Sequence, residues 1–545
     1  MIRTGICFRA AMLAGCALTL GGATQSQGPA PAEPGGTAQC QAMMAAAFGE
    51  DVRITSATHA DAAPARAASA GAEAQPALPA HCRIEGIVNR RQGAGGKTYG
   101  IGFTIALPDD WNGRFLLQGG GGLNGSVRSP IGPVAAGDRP ALARGFAVIS
   151  HDSGHQGAVF DDSFLQDQRA ALDFAEASVR TITLLGKEMT RAFYGRHAAH
   201  SYMTGCSTGG REGMLASQRY PELFDGIIVG APAMRSGDSN LGVEYTQVLF
   251  NRAAPRNEQG QPIMSQVLTE ANRRTLLNGI LAQCDALDGL EDGMVENVAE
   301  CDVQPRKLQC EAEGQGDCLS AGQVNALEQG MAGPRDSTGY SLYTPMAYDT
   351  GIMATPVGYL PTGDPGPFGP PSSATSIDLD ARAHDLRNTA WQRLTDTNYW
   401  TDLDTYLGRG GKMLFFHGMS DFWFSPFATW DYYQRAADTN GEAFTDASRL
   451  YMVPGMLHCG GGNAFDRFDL LTPLVAWVEQ GAAPGDVIAR RSSAPQEQRP
   501  LCPFPAYAAH KGGDPNEAAS FQCRQPEQDV FSARLQASRE RSKPH

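Results

Sequence analysis

A serine lies in a sequence frame that is typical of an exposed nucleophile. Residues 205–210, Gly-Cys-Ser-Thr-Gly-Gly, place Ser207 in a Gly-x-Ser-x-Gly frame, which forms a sharp turn between a strand and a helix. The neighbouring hydrophobic pattern agrees, because it predicts a buried strand over 201–204, a helix over 211–220 and another strand over 224–230. The glycines permit the tight turn that such a serine requires. We therefore predict that Ser207 is a nucleophile.

The sequence also offers a base and an acid for this serine. A serine hydroxyl needs a histidine to remove its proton and an acid to orient that histidine. In hydrolases with this turn, the three residues follow in the order Ser, Asp, His at the ends of successive strands. Asp421 lies in the loop after the predicted strand 412–417, and His458 lies in a glycine-flanked loop after the predicted strand 449–453. These positions predict a triad of Ser207, Asp421 and His458.

Other side chains compete for these roles. His417 ends the strand before Asp421, a place that fits a packed or supporting histidine. Asp402 and Asp404 precede that strand, and Asp431 falls in a predicted helix. An aspartate that only caps a turn is the alternative reading of Asp421.

Two backbone amides are candidates for binding the negative oxygen of a tetrahedral intermediate. One donor normally comes from the residue after the nucleophile, which is Thr208. The other should come from the glycine-rich loop 119–125, after the predicted strand 114–118, and Gly122 is the best single choice. A phosphate-binding loop is excluded, because no Lys-Ser or Lys-Thr follows the glycines.

The N-terminus indicates export from the cytoplasm. Arg3 and Arg9 precede or flank a short apolar run and small residues, as in a signal peptide over 1–22. Cys16 lies in a Leu-Ala-Gly-Cys frame that resembles a lipoprotein processing site. The protein is therefore expected to be secreted or periplasmic, with a membrane tether through lipidated Cys16 as one alternative. Residues 23–38 are predicted to be a flexible tether.

Cysteine usage agrees with export. Ten cysteines follow the predicted signal peptide, and an even number in an exported protein indicates disulfides. The connectivity stays open from the sequence alone, but pairing of sequence neighbours would leave Cys206 for Cys459, with two unrelated free thiols as the alternative. The neighbour pairs are Cys40–Cys82, Cys284–Cys301, Cys310–Cys318 and Cys502–Cys523.

Composition excludes several classes of partner. The chain has 545 residues and a net charge of −14, with no basic run, which argues against nucleic acid and anionic membrane surfaces. No apolar stretch reaches the roughly 18 residues that indicate a membrane span.

Strand and helix patterns alternate over two parts of the chain. This alternation predicts an α/β fold, with a mostly parallel sheet and helices on both faces. Strands are predicted over 98–107, 114–118 and 146–150, and helices over 169–193 and 467–480. Between the two parts lie helical pieces, four closely spaced cysteines and a Pro- and Gly-rich segment over 356–371. We therefore divide the chain into a first core part (39–234), an inserted lid domain (235–404), a second core part (405–530) and a C-terminal tail (531–545).

An acidic loop in the predicted lid is a candidate calcium site. Asp285, Asp288 and Asp292 lie around glycines between two cysteines, and calcium prefers such oxygen ligands in tight turns. The backbone carbonyls of Leu290 and Met294 could complete the shell. The role would be structural, and a plain solvated acidic turn is the alternative.

The residues around the predicted triad resemble the tannase and feruloyl esterase family of α/β-hydrolases. In that family, a disulfide joins the two cysteines of a Cys-Ser…Asp…His-Cys arrangement, which stands here as Cys206-Ser207, Asp421 and His458-Cys459. The stretches GCSTGGREGM, CDALDGLEDG and VPGMLHCGGG also resemble sequences of that family. The resemblance runs from Cys40 to Cys523. It implies an α/β-hydrolase fold, five disulfides in the pairing above, a calcium ion in the lid, and oxyanion donors at Gly122 and Thr208. It also implies that Phe424 lies against an aromatic acyl group.

The expected activity is hydrolysis of small esters of aromatic acids through an acyl-enzyme, without an organic cofactor. Trp391 and Trp423 are expected to contact substrate, and Tyr399 and Trp400 are either pocket or core residues. The alternatives are a serine peptidase, which would cleave amide analogues, and a catalytically silent surface lipoprotein that binds phenolics or glycans. A fluorophosphonate would not label Ser207 in the silent protein.

One member of this family binds a free carboxylate of its substrate with a lid arginine. The corresponding stretch of this chain offers only Arg382 and Arg387 as nearby candidates.

Overall fold

The computed structural model describes residues 36–67, 75–312, 317–353, 360 and 372–540. The predicted signal peptide with Cys16, most of the tether, the end of the predicted tail and most of the segment 356–371 lie outside these residues. Within the described ranges, no helix is both long enough and apolar enough to cross a membrane.

A nine-stranded sheet forms the centre of the protein. In chain order its strands are β1 (Val52–Ala60), β2 (His81–Gln92), β3 (Thr98–Pro108), β4 (Arg114–Gln118), β5 (Ala147–His151), β6 (His200–Cys206), β7 (Gly226–Gly230), β8 (Lys412–Gly418) and β9 (Ser448–Val453). They lie in the order β1-β2-β3-β5-β4-β6-β7-β8-β9. The pairs from β1 to β5 are antiparallel, and all pairs from β5 to β9 are parallel. The ends of β6, β8 and β9 therefore meet at one edge, where open α/β sheets bind ligands.

The described residues contain fourteen α-helices. These are α1 (Thr37–Ala42), α2 (Gln168–Leu172), α3 (Ser178–Tyr194), α4 (Thr208–Arg219), α5 (Ser236–Ala253), α6 (Glu270–Cys284), α7 (Ala321–Ala332), α8 (Leu379–Asn388), α9 (Ala390–Thr395), α10 (Asp404–Gly408), α11 (Pro426–Asn440), α12 (Glu442–Thr445), α13 (Leu471–Gln480) and α14 (Val530–Glu540). Short 3₁₀ turns lie at Met43–Ala45, Ala94–Gly96, Leu142–Arg144, Ser163–Gln166, Met264–Gln266, Asp285–Asp288, Pro305–Leu308, Thr350–Met353 and Ala518–Ser520.

Helices cover both faces of the sheet, as the sequence predicts. Successive residues of a strand point to opposite faces, so Phe115 and Leu117 of β4 belong to one buried core and Leu116 to another. The first core includes Ile182 of α3, and the second includes Leu474 of α13. Central strands buried on both faces explain the continuous apolar runs in the sequence.

The helices α5 to α10 lie between β7 and β8. These two strands are parallel neighbours, so the inserted segment leaves the sheet and returns to it at adjacent positions. The predicted lid over 235–404 corresponds to most of this insertion.

The helix predicted over 169–193 is interrupted. A π turn spans Asp173–Ala177 between α2 and α3. The buried guanidinium of Arg211 donates to the carbonyl oxygens of Phe174 and Ala175 over 3.0 and 2.9 Å. A side chain that donates hydrogen bonds to helix carbonyl oxygens disturbs the regular backbone hydrogen bonds of the helix. We therefore attribute the π turn to Arg211.

The C-terminal part adds two small hairpins and a helix. The hairpins are β10 (Val487–Arg491) with β11 (Ala494–Leu501), and β12 (Tyr507–His510) with β13 (Phe521–Arg524). Phe531 of α14 stacks on Phe427 of α11 with ring centroids 3.7 Å apart. The segment expected to be a tail therefore begins as a packed helix.

Candidate active site

Ser207 lies at the turn between β6 and α4, where the sequence predicts a nucleophile. Its backbone has φ 65° and ψ −123°, a conformation that residues other than glycine rarely adopt. Ser207 N donates to Gly230 O over 3.1 Å, and Ser207 O accepts from Ala233 N over 3.0 Å. The side chain is half-buried. A strained turn of this kind exposes a serine hydroxyl at the end of a strand.

Glycines are required around this turn because backbone approaches backbone. A Cβ atom on Gly205 would lie 2.4 Å from the backbone of Gly209, and one on Gly210 would lie 2.3 Å from Gly230 O. A Cβ atom on Gly209 would lie 2.8 Å from Gly120 O. The turn is thus packed directly against the glycine-rich loop 119–125.

Asp421 and His458 form a hydrogen-bonded pair in the loops after β8 and β9. His458 Nδ1 lies 2.7 Å from Asp421 Oδ2, so Nδ1 carries the proton and Nε2 keeps its lone pair. His458 Nε2 is buried and has no hydrogen-bond partner among the described residues. Asp421 Oδ1 accepts from the amides of Trp423 and Phe424 over 2.9 and 3.0 Å. The pair can therefore accept a proton at Nε2.

A disulfide joins the neighbours of the predicted nucleophile and base. Cys206 and Cys459 are bonded with their Cα atoms 6.0 Å apart, across 253 positions of sequence. Because Cys206 precedes Ser207 and Cys459 follows His458, the bond keeps these two residues close. The structure thus brings all three predicted triad residues to one edge of the sheet.

His417 supports Asp421 from the buried side. Its Nε2 lies 3.2 Å from Asp421 Oδ2 and 3.1 Å from Phe424 O, and its Nδ1 lies 2.8 Å from Thr429 Oγ1. Burial alone would raise the pKa of Asp421, but the contacts with His458 and His417 outweigh it and hold the pKa well below its ordinary value. The spacing of four residues between His417 and Asp421 was the available sequence signal.

The two predicted oxyanion donors lie in segments that touch. Thr208 Oγ1 donates to Gly122 O. Thr208 is the first residue of α4, and the first amides of a helix have no acceptor within it. Gly122 has φ 59°, and a Cβ atom there would lie 2.6 Å from Val159 Cγ1.

Glu212 holds the glycine-rich loop 119–125 by hydrogen bonds, a role that the sequence did not predict. Its fully buried carboxylate accepts from Gly120 N over 2.9 Å and from Ser153 Oγ over 3.3 Å. Asn124 Oδ1 accepts from Gly121 N over 2.8 Å. The available sequence signal was an acidic residue next to Arg211 in a stretch, 208–218, that is otherwise uncharged.

Aromatic rings flank His458. The ring centroids of Trp423 and Phe424 lie 5.1 and 5.3 Å from that of His458. Phe160 packs edge-on against Trp423 at 5.8 Å. This environment is compatible with the predicted contacts of Trp423 and Phe424 to an aromatic acyl group.

The remaining candidates, Trp391 and the two arginines, lie on the inserted helices α8 and α9. Trp391 is on α9, which packs against the π turn Asp173–Ala177. Arg382 forms an ion pair with Glu244 over 3.0 Å, and Arg387 lies over the ring of Tyr340. Neither arginine contacts the predicted triad.

The acidic loop keeps its predicted residues close, but they also bind protein groups. Asp285 accepts from the amide of Gly293, and Asp292 Oδ2 lies 3.0 Å from the buried guanidinium of Arg499. Asp288 Oδ2 is buried without a partner among the described residues, and burial raises the pKa of Asp288 to about 7. Over the same residues, no three histidine, cysteine or carboxylate side chains are grouped as a ready metal site. A buried, unpartnered carboxylate oxygen in this loop nevertheless fits a cation that binds oxygen.

The remaining predicted disulfides are all present. They are Cys40–Cys82, Cys284–Cys301, Cys310–Cys318 and Cys502–Cys523.

A mostly parallel sheet with a strained Ser207 turn after β6, and an Asp–His pair after β8 and β9, defines an α/β-hydrolase. Comparison with known proteins leads to the same class. The sequence model of the family described as tannase and feruloyl esterase matches residues 82–361 and 372–524. The chain therefore belongs to the tannase and feruloyl esterase family, which confirms the predicted family, fold and carboxylic ester hydrolase class.

Relatives cover most of the chain. Mono(2-hydroxyethyl) terephthalate hydrolase from Piscinibacter sakaiensis is 38% identical, over 86% of this chain and 87% of its own. A probable feruloyl esterase from Arthroderma benhamiae is 30% identical, over 77% and 81%. The crystal structure of feruloyl esterase B from Aspergillus oryzae superposes with a TM-score of 0.73 at 27% identity, over 90% of this chain and 100% of that one.

Proposed function

We propose that this protein is an exported serine esterase that hydrolyses small esters of aromatic carboxylic acids. The observation that carries the proposal is the buried, unpartnered Nε2 of His458, whose Nδ1 is fixed by Asp421. A base held in one tautomer, with its lone pair turned away from the acid, is what a neighbouring serine hydroxyl needs.

The proposed first half-reaction forms an acyl-enzyme. Ser207 Oγ gives its proton to His458 Nε2 and bonds to the ester carbonyl carbon. The amides of Gly122 and Thr208 donate to the resulting oxyanion. The bond from carbon to the alcohol oxygen then breaks, and the alcohol leaves with the proton from His458. Asp421 stabilises the imidazolium and remains ionised.

The second half-reaction releases the acid. A water molecule gives a proton to His458 Nε2 and bonds to the acyl carbon. The bond to Ser207 Oγ breaks, and Ser207 recovers the proton. Trp423 and Phe424 beside His458 would contact the aromatic acyl group, which favours aromatic over aliphatic acids.

A substrate panel tests this function. The purified protein and a Ser207→Ala variant are assayed with methyl ferulate, methyl gallate and mono(2-hydroxyethyl) terephthalate, and with the amide analogue of each ester that is cleaved. We expect turnover of at least one ester, none in the variant, and labelling of Ser207 by a fluorophosphonate. Cleavage of the amides at a similar rate would support a peptidase instead. A folded protein without labelling or turnover would refute the proposal.

We further propose a structural calcium ion in the lid. Asp288 would bind it, with Asp285, Asp292 and the carbonyls of Leu290 and Met294 as the other candidate ligands. The ion would supply positive charge to buried carboxylates and no chemistry at Ser207. Export of the mature chain is supported by its five disulfides.

A further inference from the structure

A cavity lies in the inserted segment, and no residue of the predicted triad lines it. Its volume is about 650 Å³, within the roughly 300–1,000 Å³ of ligand sites. It lies between the start of α5, the loop before Leu342, and the helices α8 and α9. Its lining includes Arg235, Tyr340, Arg387, Gln392, Asp396 and Tyr399, and none of the triad residues.

The cavity continues along the surface. A neighbouring depression of about 240 Å³ shares Asp336 and Arg387 with it and extends to His384 and Asn388. Together they form a groove, here named the α8 groove. Two adjoining depressions can accommodate consecutive units of an extended chain.

Two tyrosine rings are exposed in the α8 groove. Tyr399 is 75% exposed and Tyr340 is 48% exposed, so a ligand in the groove can reach both rings. The guanidinium of Arg387 lies 5.6 Å from the Tyr340 ring centroid. Exposed aromatic faces bind the C–H faces of sugar rings, whose hydroxyl groups at the rim need polar partners.

Polar partners of the required kind line the groove. The side chains of Arg387, Gln392 and Arg393 line the larger cavity. They offer donors to ligand hydroxyl groups, and Gln392 also offers an acceptor.

The charges of the groove are nearly balanced. Arg235 pairs with Asp238 over 2.8 Å, and Asp336 accepts from the amides of Thr338 and Tyr340. The lining of the larger cavity contains three arginines and three aspartates, which are Arg235, Arg387, Arg393, Asp238, Asp336 and Asp396. Balanced charge gives no strong attraction to an anion or a cation, and a neutral ligand is favoured.

The groove is in contact with the loop of the predicted acid. The guanidinium of Arg235, in its wall, lies over the ring of Tyr343. The Tyr343 hydroxyl accepts from Ser425 N over 3.0 Å, directly after Phe424. A chain bound in the groove would therefore lie on the inserted segment, in contact with the loop that carries Asp421.

From these observations we propose that the α8 groove binds a neutral oligosaccharide, with Tyr340 and Tyr399 stacking on sugar rings and Arg387, Gln392 and Arg393 donating to hydroxyl groups. The binding does not depend on the proposed esterase activity. If the protein cleaves esters carried on a polysaccharide, the groove would hold the carbohydrate part and lower the KM for such substrates.

Calorimetry with free sugars tests the binding. The Ser207→Ala protein is titrated with xylohexaose, cellohexaose and maltohexaose. We expect at least one of them to bind, and Tyr340→Ala or Tyr399→Ala to weaken its association about 5- to 10-fold, the value of an aromatic contact. Tyr340→Phe and Tyr399→Phe keep the ring faces and should bind like the parent.

A matched control is Trp400→Ala. Trp400 is 53% exposed but does not line the groove, so this change should leave the binding of the same sugar unaltered. Absence of heat with all three sugars at millimolar concentration would overturn the proposal. So would tyrosine-to-alanine variants that bind as tightly as the parent protein.

Activity separates this proposal from the esterase function. In the Ser207-intact protein, the tyrosine-to-alanine variants should hydrolyse methyl ferulate or methyl gallate as well as the unaltered chain does. A protein without esterase activity that still binds the sugar would leave the groove proposal standing.

Discussion

His417 Nε2 lies 3.2 Å from Asp421 Oδ2, with both side chains fully buried. The same oxygen accepts from His458 Nδ1. Two histidines thus hold one carboxylate oxygen, and the second, His417, does not face the reacting atoms. We assign it as a positioning residue for Asp421.

Replacement of His417 by leucine should lower kcat on the order of 10-fold or more, with little change in KM, because small displacements of a catalytic group are costly. His417→Gln retains an N–H donor at a similar reach and should recover most of kcat. The assay uses the ester identified in the substrate panel, and thermal melting checks the fold. A folded leucine variant with unchanged kcat would contradict the assignment.

Asp421 should also give the folded state a pH-dependent stability. Its pKa is lowered on folding, so its contribution is complete above the unfolded pKa of about 3.9 and is lost as pH falls towards the folded pKa. The loss of unfolding free energy in Asp421→Asn should therefore be larger at pH 6 than at pH 3. Urea unfolding at both pH values measures it. An equal loss at both would show that ionisation of Asp421 does not stabilise the fold.

Glu212 should control the oxyanion donors through the loop that it holds. Glu212→Ala removes the acceptor for Gly120 N and should lower kcat roughly 10- to 100-fold, less than or similar to the loss of one oxyanion donor. Glu212→Gln keeps an oxygen for Gly120 and should remain close to the parent. If Glu212→Ala had the same kcat as Glu212→Gln, the carboxylate of Glu212 would have no influence on the oxyanion donors.

The Cys206–Cys459 bond should matter for both activity and stability. It closes 253 positions of sequence, for which the chain-entropy model gives about 5 kcal/mol as an upper figure. A Cys206→Ala/Cys459→Ala variant should lose most of its activity and melt at lower temperature. Cys310→Ala/Cys318→Ala, which opens a bond across 8 positions, is the matched control and should keep its activity. Full activity in the first variant would show that other contacts suffice to hold Ser207 near His458.

Calcium should stabilise the lid without taking part in the reaction. Chelation should lower the melting temperature, since a ligand at about 100 times its Kd adds about 2.7 kcal/mol. Differential scanning calorimetry in calcium, in magnesium and in chelator measures the effect, and Asp288→Asn should abolish the difference. Identical melting in calcium and chelator would refute the site.

The sequence predicts the central elements well where burial dominates. β4 has the predicted bounds at Arg114 and Gln118, because a short apolar run between turn residues predicts a buried strand. β6 extends to Cys206, two residues past the prediction, because pairing with β4 and β7 continues the ladder. The triad positions followed from chain order, and the structure brings them together.

Other features depend on contacts between residues far apart in sequence. The antiparallel strands β1 and β2 escaped prediction, because their partly exposed polar residues give no apolar run. α13 begins at Leu471 rather than 467, since Arg467 pairs through its backbone with Arg490. The sequence indicates His417 as a packed or supporting histidine, but its contact with Asp421, like that of Glu212 with the glycine loop, is formed only in the folded chain.

The insertion between β7 and β8 is structurally separable from the sheet that carries the reacting groups. Its two ends lie on neighbouring parallel strands, so a longer or shorter insertion would leave the register of the sheet unchanged. Ser207 lies before the inserted segment and Asp421 after it. The inserted segment can therefore change in length or composition while the strands that position the reacting groups keep their places.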